Sequence, residues 1–165
     1  NQVKNKIYEL IPEGSEVMVM SSVTLDTLGI SEELNNSGKY NSVRKKLMAK
    51  DPGAVYHASN PEFTIGSVQA ITENGEVVVA SATGSQLSAY AYGAKNVIWI
   101  VGKQKLVKSL DDAFARIKGE VLKKEDARAM KVYGMHSAVN KLLIINKEVN
   151  PGRIKILLVN QTLGF

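Results

Sequence analysis

The chain has 165 residues, 44% of them hydrophobic and 22% charged, which is the size and composition of one globular domain. It contains no cysteine, which excludes disulfides, cysteine-ligated zinc, a thiol nucleophile and an iron–sulfur cluster held by the chain itself. No apolar run approaches the roughly 20 residues of a membrane-spanning helix, and no signal peptide is visible. We therefore expect a cytoplasmic protein with no membrane partner.

The formal net charge is +5, from 21 basic and 16 acidic residues. A nucleic-acid-binding protein concentrates such a surplus on one face, together with aromatic or polar side chains that read bases. Here the basic residues form short, scattered clusters, which we interpret as solvated helix faces. We expect no nucleic-acid partner, although a mildly positive surface attracts anionic metabolites. The clusters lie at residues 44–46, at Lys103, Lys105 and Lys108, and at residues 123–124.

The first third of the chain predicts one long helix, one buried strand and several short helices. Residues 2–11 carry apolar side chains at helical spacing, and residues 17–20 form the short apolar run typical of a buried strand. Residues 54–58 are also predicted to form a strand. The short helices are expected near Thr24 or Asp26, after Ser31, and over residues 41–50.

The middle of the chain, residues 66–102, carries the densest pattern. Residues 68–72 and 76–80 are β-prone and are separated by Glu73-Asn74-Gly75, which predicts a hairpin with a type I′ turn. Residues 87–92 predict a short helix that ends at Gly93. Residues 97–101 predict another buried strand.

The last third predicts two helices and then two strands. Ser109 is expected to cap a helix with an apolar stripe from Leu110 to Val121, and a more polar helix follows over residues 124–133. Residues 142–146 and 154–160 predict strands. Strands thus alternate with helices along most of the chain. We therefore expect a single α/β domain over residues 1–165, with a mostly parallel sheet and antiparallel hairpin strands added to it.

Two polar loops occupy positions where open α/β sheets bind ligands, beyond the carboxyl ends of strands. One follows the first strand, and the other reads Ser-Ala-Thr-Gly-Ser-Gln over residues 81–86 and leads into a helix. Small residues let backbone N–H groups approach an anion at a helix start. The alternative is an ordinary turn capped by Thr83 or Ser85. The candidate ligand-binding residues are Ser21, Ser22, Thr83, Gly84, Ser85 and Gln86.

Glu73 is the main candidate for a catalytic carboxylate. It adjoins a turn and so could project into a cleft as a base or nucleophile, the alternative being a solvated turn residue. Glu62 and Glu76 are weaker candidates of the same kind.

Several common kinds of site are disfavoured by the sequence. His57 and His136 are the only histidines, so a histidine-rich metal site is excluded and no metal is expected. His57 is interpreted as a packed residue, whereas His136 lies in a loop and is a weak functional candidate. No Gly-x-Ser-x-Gly elbow and no Gly-x-Gly-x-x-Gly fingerprint occur, which disfavours a hydrolase triad and nicotinamide binding of the usual kind.

The run over residues 66–81, GSVQAITENGEVVVAS, resembles the signature of the LUD domain, a family named for lactate utilisation proteins. The resemblance is collinear and extends from about Ile11 to the end of the chain. Its further segments are Gly84-Ser85-Gln86, Tyr92-Gly93-Ala94, residues 97–102, Pro151-Gly152-Arg153, Leu158-Val159-Asn160 and Leu163-Gly164-Phe165.

The resemblance implies a three-layer fold similar to ribose-5-phosphate isomerase, glucosamine-6-phosphate deaminase and CoA transferases. In that broad group a glutamate in a Glu-Asn-Gly-like turn is the CoA-transferase nucleophile, and Glu73-Asn74-Gly75 matches those letters. Related LUD proteins commonly carry Glu-Thr-Gly or Glu-Asp-Gly, and transferase activity is not established for them. Members linked to lactate oxidation work beside iron–sulfur subunits. Because this chain has no cysteine, any cluster would belong to a partner.

Three functions follow as hypotheses, and the sequence identifies no cofactor. The first is a LUD-domain protein that binds a small anionic metabolite, as an accessory subunit in the oxidation of lactate or a related 2-hydroxy acid. Arg153 or a nearby lysine would then supply the counter-charge. The second is a stand-alone enzyme on an acyl-CoA or sugar phosphate that uses Glu73. The third is a non-catalytic interaction module that forms a homodimer through its apolar C-terminal strands.

Overall fold

The computed structural model describes residues 2–165, which form an α/β fold with two sheets. The strands are β1 (Glu16–Val19), β2 (Asn41–Ser42), β3 (Phe63–Gly66), β4 (Ala70–Thr72), β5 (Val77–Ser81), β6 (Asn96–Gly102), β7 (Leu106–Val107), β8 (Lys141–Ile145) and β9 (Ile154–Val159). The larger sheet is parallel throughout, in the order β2-β1-β3-β6-β9. The smaller sheet has the order β7-β4-β5-β8 and contains the antiparallel hairpin β4–β5.

Helices cover both faces of the larger sheet. Those on the larger sheet are α1 (Gln2–Leu10), α2 (Val23–Thr27), α3 (Ile30–Asn36), α4 (Val43–Met48) and α5 (Ala54–Ser59). The remaining helices are α6 (Leu110–Arg116) and α7 (Leu122–Tyr133). Along β1, Val17 and Val19 pack towards α1, α2 and α3, whereas Met18 packs towards α4, α5 and the smaller sheet. This alternation follows from the two-residue period of a strand.

The smaller sheet is itself covered on its outer face by α6, through the buried residues Ala70, Val78, Ala113 and Ile117. The predicted mostly parallel sheet with antiparallel hairpin strands is therefore confirmed, with the smaller sheet and α6 extending the layers on one side. No helix within residues 2–165 combines the length and the apolar character needed to cross a bilayer.

One secondary-structure prediction is wrong, and one strand of the same region has no prediction. Residues 54–58 form helix α5 instead of a strand, because Gly53 in the left-handed region starts a helical turn that tertiary packing then holds. The central strand β3 was not predicted at all. It has only four residues, and its burial on both faces comes from neighbours distant in sequence.

The hairpin β4–β5 has the predicted strands but a different turn. Gly75 alone takes a positive φ, of 93°, and its N–H donates to the Thr72 carbonyl at 3.0 Å. The Thr72 N–H in turn donates to the Glu76 carbonyl at 2.9 Å. The turn is therefore a three-residue loop with glycine in the left-handed position, and not the predicted type I′ turn.

The two predicted helices after Ser109 are one continuous helical segment. Ser109 caps it as predicted, because its hydroxyl accepts from the Asp112 N–H at 3.2 Å. A π-turn over Ile117–Val121 then joins α6 to α7. Such a turn inserts one residue into the helical repeat.

Candidate functional site

A cavity of about 1080 Å³ lies beyond the carboxyl ends of β1 and β3. The chain leaves β1 towards β2 on one side and then returns to β3 on the other, so the strand order reverses between these two strands. Open α/β sheets bind ligands at this reversal point. The cavity is lined by residues 18–24, 67–69, 80–86 and 135–139, by Arg44, Tyr90 and Lys105, by one face of α7, and by Phe165 among others.

The most unusual residue of the cavity wall is Lys105, which is only 2% exposed. It lies at the end of a 3₁₀ turn over Lys103–Lys105 that follows β6. Burial, with a smaller contribution from the positive charge of Arg116, lowers the pKa of Lys105 to about 8. A lysine without a counter-ion is rarely buried to this extent. No carboxylate pairs with it among residues 2–165.

Two hydroxyl groups accept hydrogen bonds from the Lys105 ammonium. Its Nζ lies 3.0 Å from Ser67 Oγ and 3.2 Å from Thr24 Oγ1. Each hydroxyl donates its own proton to a backbone carbonyl: Ser67 donates to Ile100, and Thr24 donates to Leu163. The lone pairs of both hydroxyl oxygens therefore face Lys105. An ammonium has three N–H donors, so one remains for a further acceptor.

Arg44 is a second cavity cation without a carboxylate partner among the residues described. Its Nε and one terminal nitrogen donate to the Val19 carbonyl at 3.0 and 2.8 Å, at the end of β1. Burial lowers the pKa of Arg44, although an arginine stays charged in any case. The cavity thus has two unpaired positive groups near the strand ends, where an anion would neutralise them.

The third cation of the wall, Arg128, is already neutralised. It makes two hydrogen bonds to Glu125, of 2.6 and 2.8 Å, and its guanidinium lies 5.5 Å from the centre of the Tyr133 ring. These contacts fix the face of α7 that closes the cavity.

The predicted loop residues all line the cavity, but the loop is internally bonded. Ser21 and Ser22 lie at its β1 side, and Thr83, Gly84, Ser85 and Gln86 lie opposite. The Gly84 N–H donates to Ser81 Oγ at 2.8 Å, and the Ser85 N–H donates to Thr83 Oγ1 at 3.3 Å. These N–H groups are therefore occupied. The Thr83 hydroxyl also donates within the loop, to Ser85 Oγ at 3.2 Å, and the Gln86 amide nitrogen donates to the Ala80 carbonyl at 3.4 Å, so a ligand would replace or extend these bonds.

The structure does not bring Glu73 or Arg153 into this cavity. Glu73 is exposed on the hairpin turn before β5, whereas the loop over residues 81–86 follows the other end of that strand. The five residues of β5 therefore separate Glu73 from the loop by on the order of 13 Å or more. A catalytic role for Glu73 stays a prediction, and such a role would belong to a site outside the cavity.

Arg153 has a structural set of partners. It donates to the carbonyls of Ala89, Tyr90 and Ala94 and pairs with Glu148 at 2.6 Å. It thereby satisfies the carboxyl end of the π-turn over Ala89–Gly93. These contacts occupy its guanidinium.

The two histidines lie apart. His57 is on α5, with Nδ1 3.2 Å from Glu16. His136 lines the cavity but is mostly exposed, and it contacts Asp126 at 3.0 Å. Contacts with the Ser137 N–H and with His136 lower the pKa of Asp126. Residues 2–165 bring together no group of three side chains that could hold a metal ion.

Neither unpaired cation is predicted by the sequence, where Arg44 and Lys105 belong to short basic clusters interpreted as solvated helix faces. For Lys105 that interpretation is wrong. Its partners Ser67 and Thr24 are 38 and 81 residues away in sequence, so no local pattern indicates its burial.

Comparisons with known proteins identify the family but not an activity. No curated protein matches the chain. A solved DUF162 family protein from Deinococcus radiodurans is similar at a TM-score of 0.47 and 7% identity, over 89% of this chain and 88% of that one. The structure of eIF2B beta from Chaetomium thermophilum is similar at 0.42 and 16%, over 67% and 44%. The model of the LUD domain matches residues 1–159. The chain therefore belongs to the LUD domain family, which is associated with lactate utilisation.

Proposed function

We propose that the cavity binds a small anionic metabolite. The observation that carries the proposal is the burial of the Lys105 ammonium against two hydroxyl groups and no carboxylate. Burying a charge without a partner costs several kcal/mol, and a bound anion offsets that cost. An anion in the cavity would accept a hydrogen bond from the third N–H of Lys105, so that all three N–H groups would have a partner.

The remaining contacts come from both sides of the cavity. Arg44 supplies a second positive group in place of Arg153, whose guanidinium is occupied. Side chains of Ser21, Ser22, Thr83, Ser85 and Gln86, with the small residue Gly84, provide hydrogen-bonding groups and space around the anion.

The family association indicates which anions to consider first. We propose an accessory role in the oxidation of lactate or a related 2-hydroxy acid, beside iron–sulfur subunits supplied by other proteins. Deletion of the gene should then impair growth on L-lactate, and the protein should co-purify with such subunits. Normal growth on lactate after deletion would argue against this role while leaving anion binding to be judged by direct measurement.

The direct test is calorimetric titration of the protein with L-lactate and pyruvate. Replacing Lys105 by methionine keeps a similar length and removes the charge, so it should weaken binding at least about tenfold. The matched control is Lys103→Met, on the same 3₁₀ turn but exposed, which should leave affinity unchanged. Equal affinity in the Lys105 variant and the parent would contradict the proposal.

A second candidate function is self-association, which one observation favours. The edge strand β9 exposes Ile156 and Leu158, the latter by 59%, and Val149 just before it is 81% exposed. The neighbouring sheet edge, β8, exposes Leu142 and Ile144. An unpaired edge with apolar side chains is a surface that pairs with another chain. We propose that a second copy of this chain covers it.

A further inference from the structure

The size and lining of the cavity bear on which anion it takes. Lactate occupies on the order of 100 Å³, or three to four water volumes. A cavity of about 1080 Å³ is some tenfold larger and lies just above the range of roughly 300–1,000 Å³ that is typical of sites for much bulkier ligands. An anion as small as lactate would leave most of this space to water.

The cavity also has a polar deep end and an apolar mouth. Lys105 at the deep end is 2% exposed, whereas three large apolar residues that line the same cavity are exposed by 57–74%. We call these residues the apolar rim: Val55 on α5, Tyr133 at the end of α7, and Met135. Such side chains at the entrance of a charged cavity are characteristic of ligand-binding grooves.

The rest of the cavity wall is mixed, with polar side chains beside apolar ones. Its apolar members include Leu47 on α4, Ala58 on α5 and Ala129 on α7. A ligand that reached from Lys105 to the apolar rim would therefore keep its charge near the cations and bury its other end against aliphatic and aromatic carbon.

From these observations we infer that the ligand is an anion that carries an apolar, ring-sized body, with the anionic group at Lys105 and the body against the apolar rim. The inference rests on the proposed function, because it assumes that an anion binds at the cations. It restricts the proposed ligand from any small anion to an acid with an apolar substituent, such as a 2-hydroxy acid that carries an aromatic ring. The positive deep end argues for an anionic ligand rather than a protein segment as the occupant.

The test compares L-lactate with L-3-phenyllactate, which has the same carboxylate and hydroxyl groups and adds one phenyl ring. Phenyllactate should bind about tenfold more tightly or better, because the ring is buried against the rim. Its uncharged amide, L-3-phenyllactamide, should bind weakly, since the cations then lack an anion. Calorimetric titration of the parent protein with all three compounds measures this directly.

Variants of the apolar rim distinguish the contribution of the apolar body to binding from that of the anionic group. Val55→Ser should lower the affinity for phenyllactate about threefold or more and leave that for lactate within about twofold. Val132→Ser, which changes an exposed valine of α7 that does not line the cavity, is the control and should change neither. Equal affinities for lactate and phenyllactate, or an amide that binds as tightly as the acid, would overturn the inference. Failure of both acids to bind at millimolar concentration would reject the proposed function together with the inference.

Discussion

The Cα of Gly66 lies against the hydroxyl group of Tyr90, so that a methyl group on residue 66 would overlap with that oxygen. Gly66 ends β3, and the next residue, Ser67, is a hydrogen-bond partner of Lys105. Tyr90 is fully buried and packs edge-on against Trp99, with ring centres 5.3 Å apart. The close contact between Gly66 and Tyr90 therefore fixes the floor of the cavity.

Gly66→Ala should destabilise the protein by about 1–3 kcal/mol, because the added methyl group overlaps the Tyr90 hydroxyl and forces the buried ring to shift. Tyr90→Phe removes the overlapping oxygen, so the double variant should recover part of that loss. The next atoms would lie 3.1 and 3.2 Å from the new methyl group, which makes the recovery incomplete. Urea unfolding of the two single variants and the double variant measures the coupling. Strict additivity would contradict the contact.

Anion affinity should fall as the pH rises above about 8. The free cavity loses the Lys105 proton near that pH, and an anion favours the protonated form, so binding then requires proton uptake. We expect the dissociation constant of L-lactate to rise up to about tenfold per pH unit between pH 8 and about 10. The Lys103→Met variant should show the same profile. A flat profile in the parent protein would be inconsistent with Lys105 as the anion partner.

Lys105→Met should stabilise the unliganded protein while weakening ligand binding. The pKa of Lys105 is about 8 in the folded state against an ordinary 10.5, so below pH 8 both states are protonated and the burial cost is fully present. Between pH 8 and 10.5 the unfolded chain holds more protons, and the stability of the parent protein rises with pH. The stability advantage of the variant should be greatest at neutral pH and should decrease by on the order of 3 kcal/mol over that interval.

Denaturant melts of both proteins at pH 7 and pH 10 check the sign as well as the size of this effect. A variant less stable than the parent at pH 7 would indicate that the two hydroxyl contacts outweigh the desolvation cost.

Glu73→Gln should leave the affinity for L-lactate within about twofold and the stability within about 0.5 kcal/mol, since the residue is exposed and remote from the cavity. The same variant tests the alternative of a stand-alone enzyme. Turnover of an acyl-CoA or sugar phosphate that disappears in Glu73→Gln, with the fold retained by circular dichroism, would establish a second site at the hairpin turn.

Leu158→Glu places a charge on the exposed apolar edge of β9 and should convert a homodimer into a monomer. Light scattering at micromolar concentration should show about 36 kDa for the parent, twice the 18.0 kDa chain mass, and the chain mass for the variant. A parent protein that is already monomeric at that concentration would reject the proposed dimer.

The parts of the fold that the sequence predicted are those whose signals are local. The strands of the hairpin at Glu73, the cap at Ser109 and the buried strand β6 all depend on neighbouring residues and were recognised. Strand β3 and helix α5 depend on packing between distant segments. Phe63–Gly66 is too short to show a period, and Val55 and Tyr56 are β-prone residues that the structure leaves exposed on a helix.

For the candidate site, too, the sequence predicted the parts with local signals and not the buried cation. The loops at Ser21 and Thr83 were predicted because polar residues after strands follow a general rule of α/β sheets. Lys105 could not be predicted, since its position among similar lysines gives no indication of burial. Glu73 and the loop over residues 81–86 are close in sequence, but β5 separates them, and the hairpin turn lies at the end of that strand remote from the cavity.

The π-turn over Ile117–Val121 accommodates a single surplus residue in the helical segment that lines the cavity. A regular helix advances by about 100° per residue, so one extra residue in a regular helix would rotate everything after it by that angle. The wider π-turn absorbs the extra residue, and Glu125, Ala129 and Tyr133 keep facing the cavity. Deletion of the exposed Gly119 should therefore give a regular helix and leave these side chains on the cavity wall, whereas deletion of a residue within α7 would rotate those that follow it off the cavity. The irregular turn thus keeps the two halves of the helix in register despite the surplus residue.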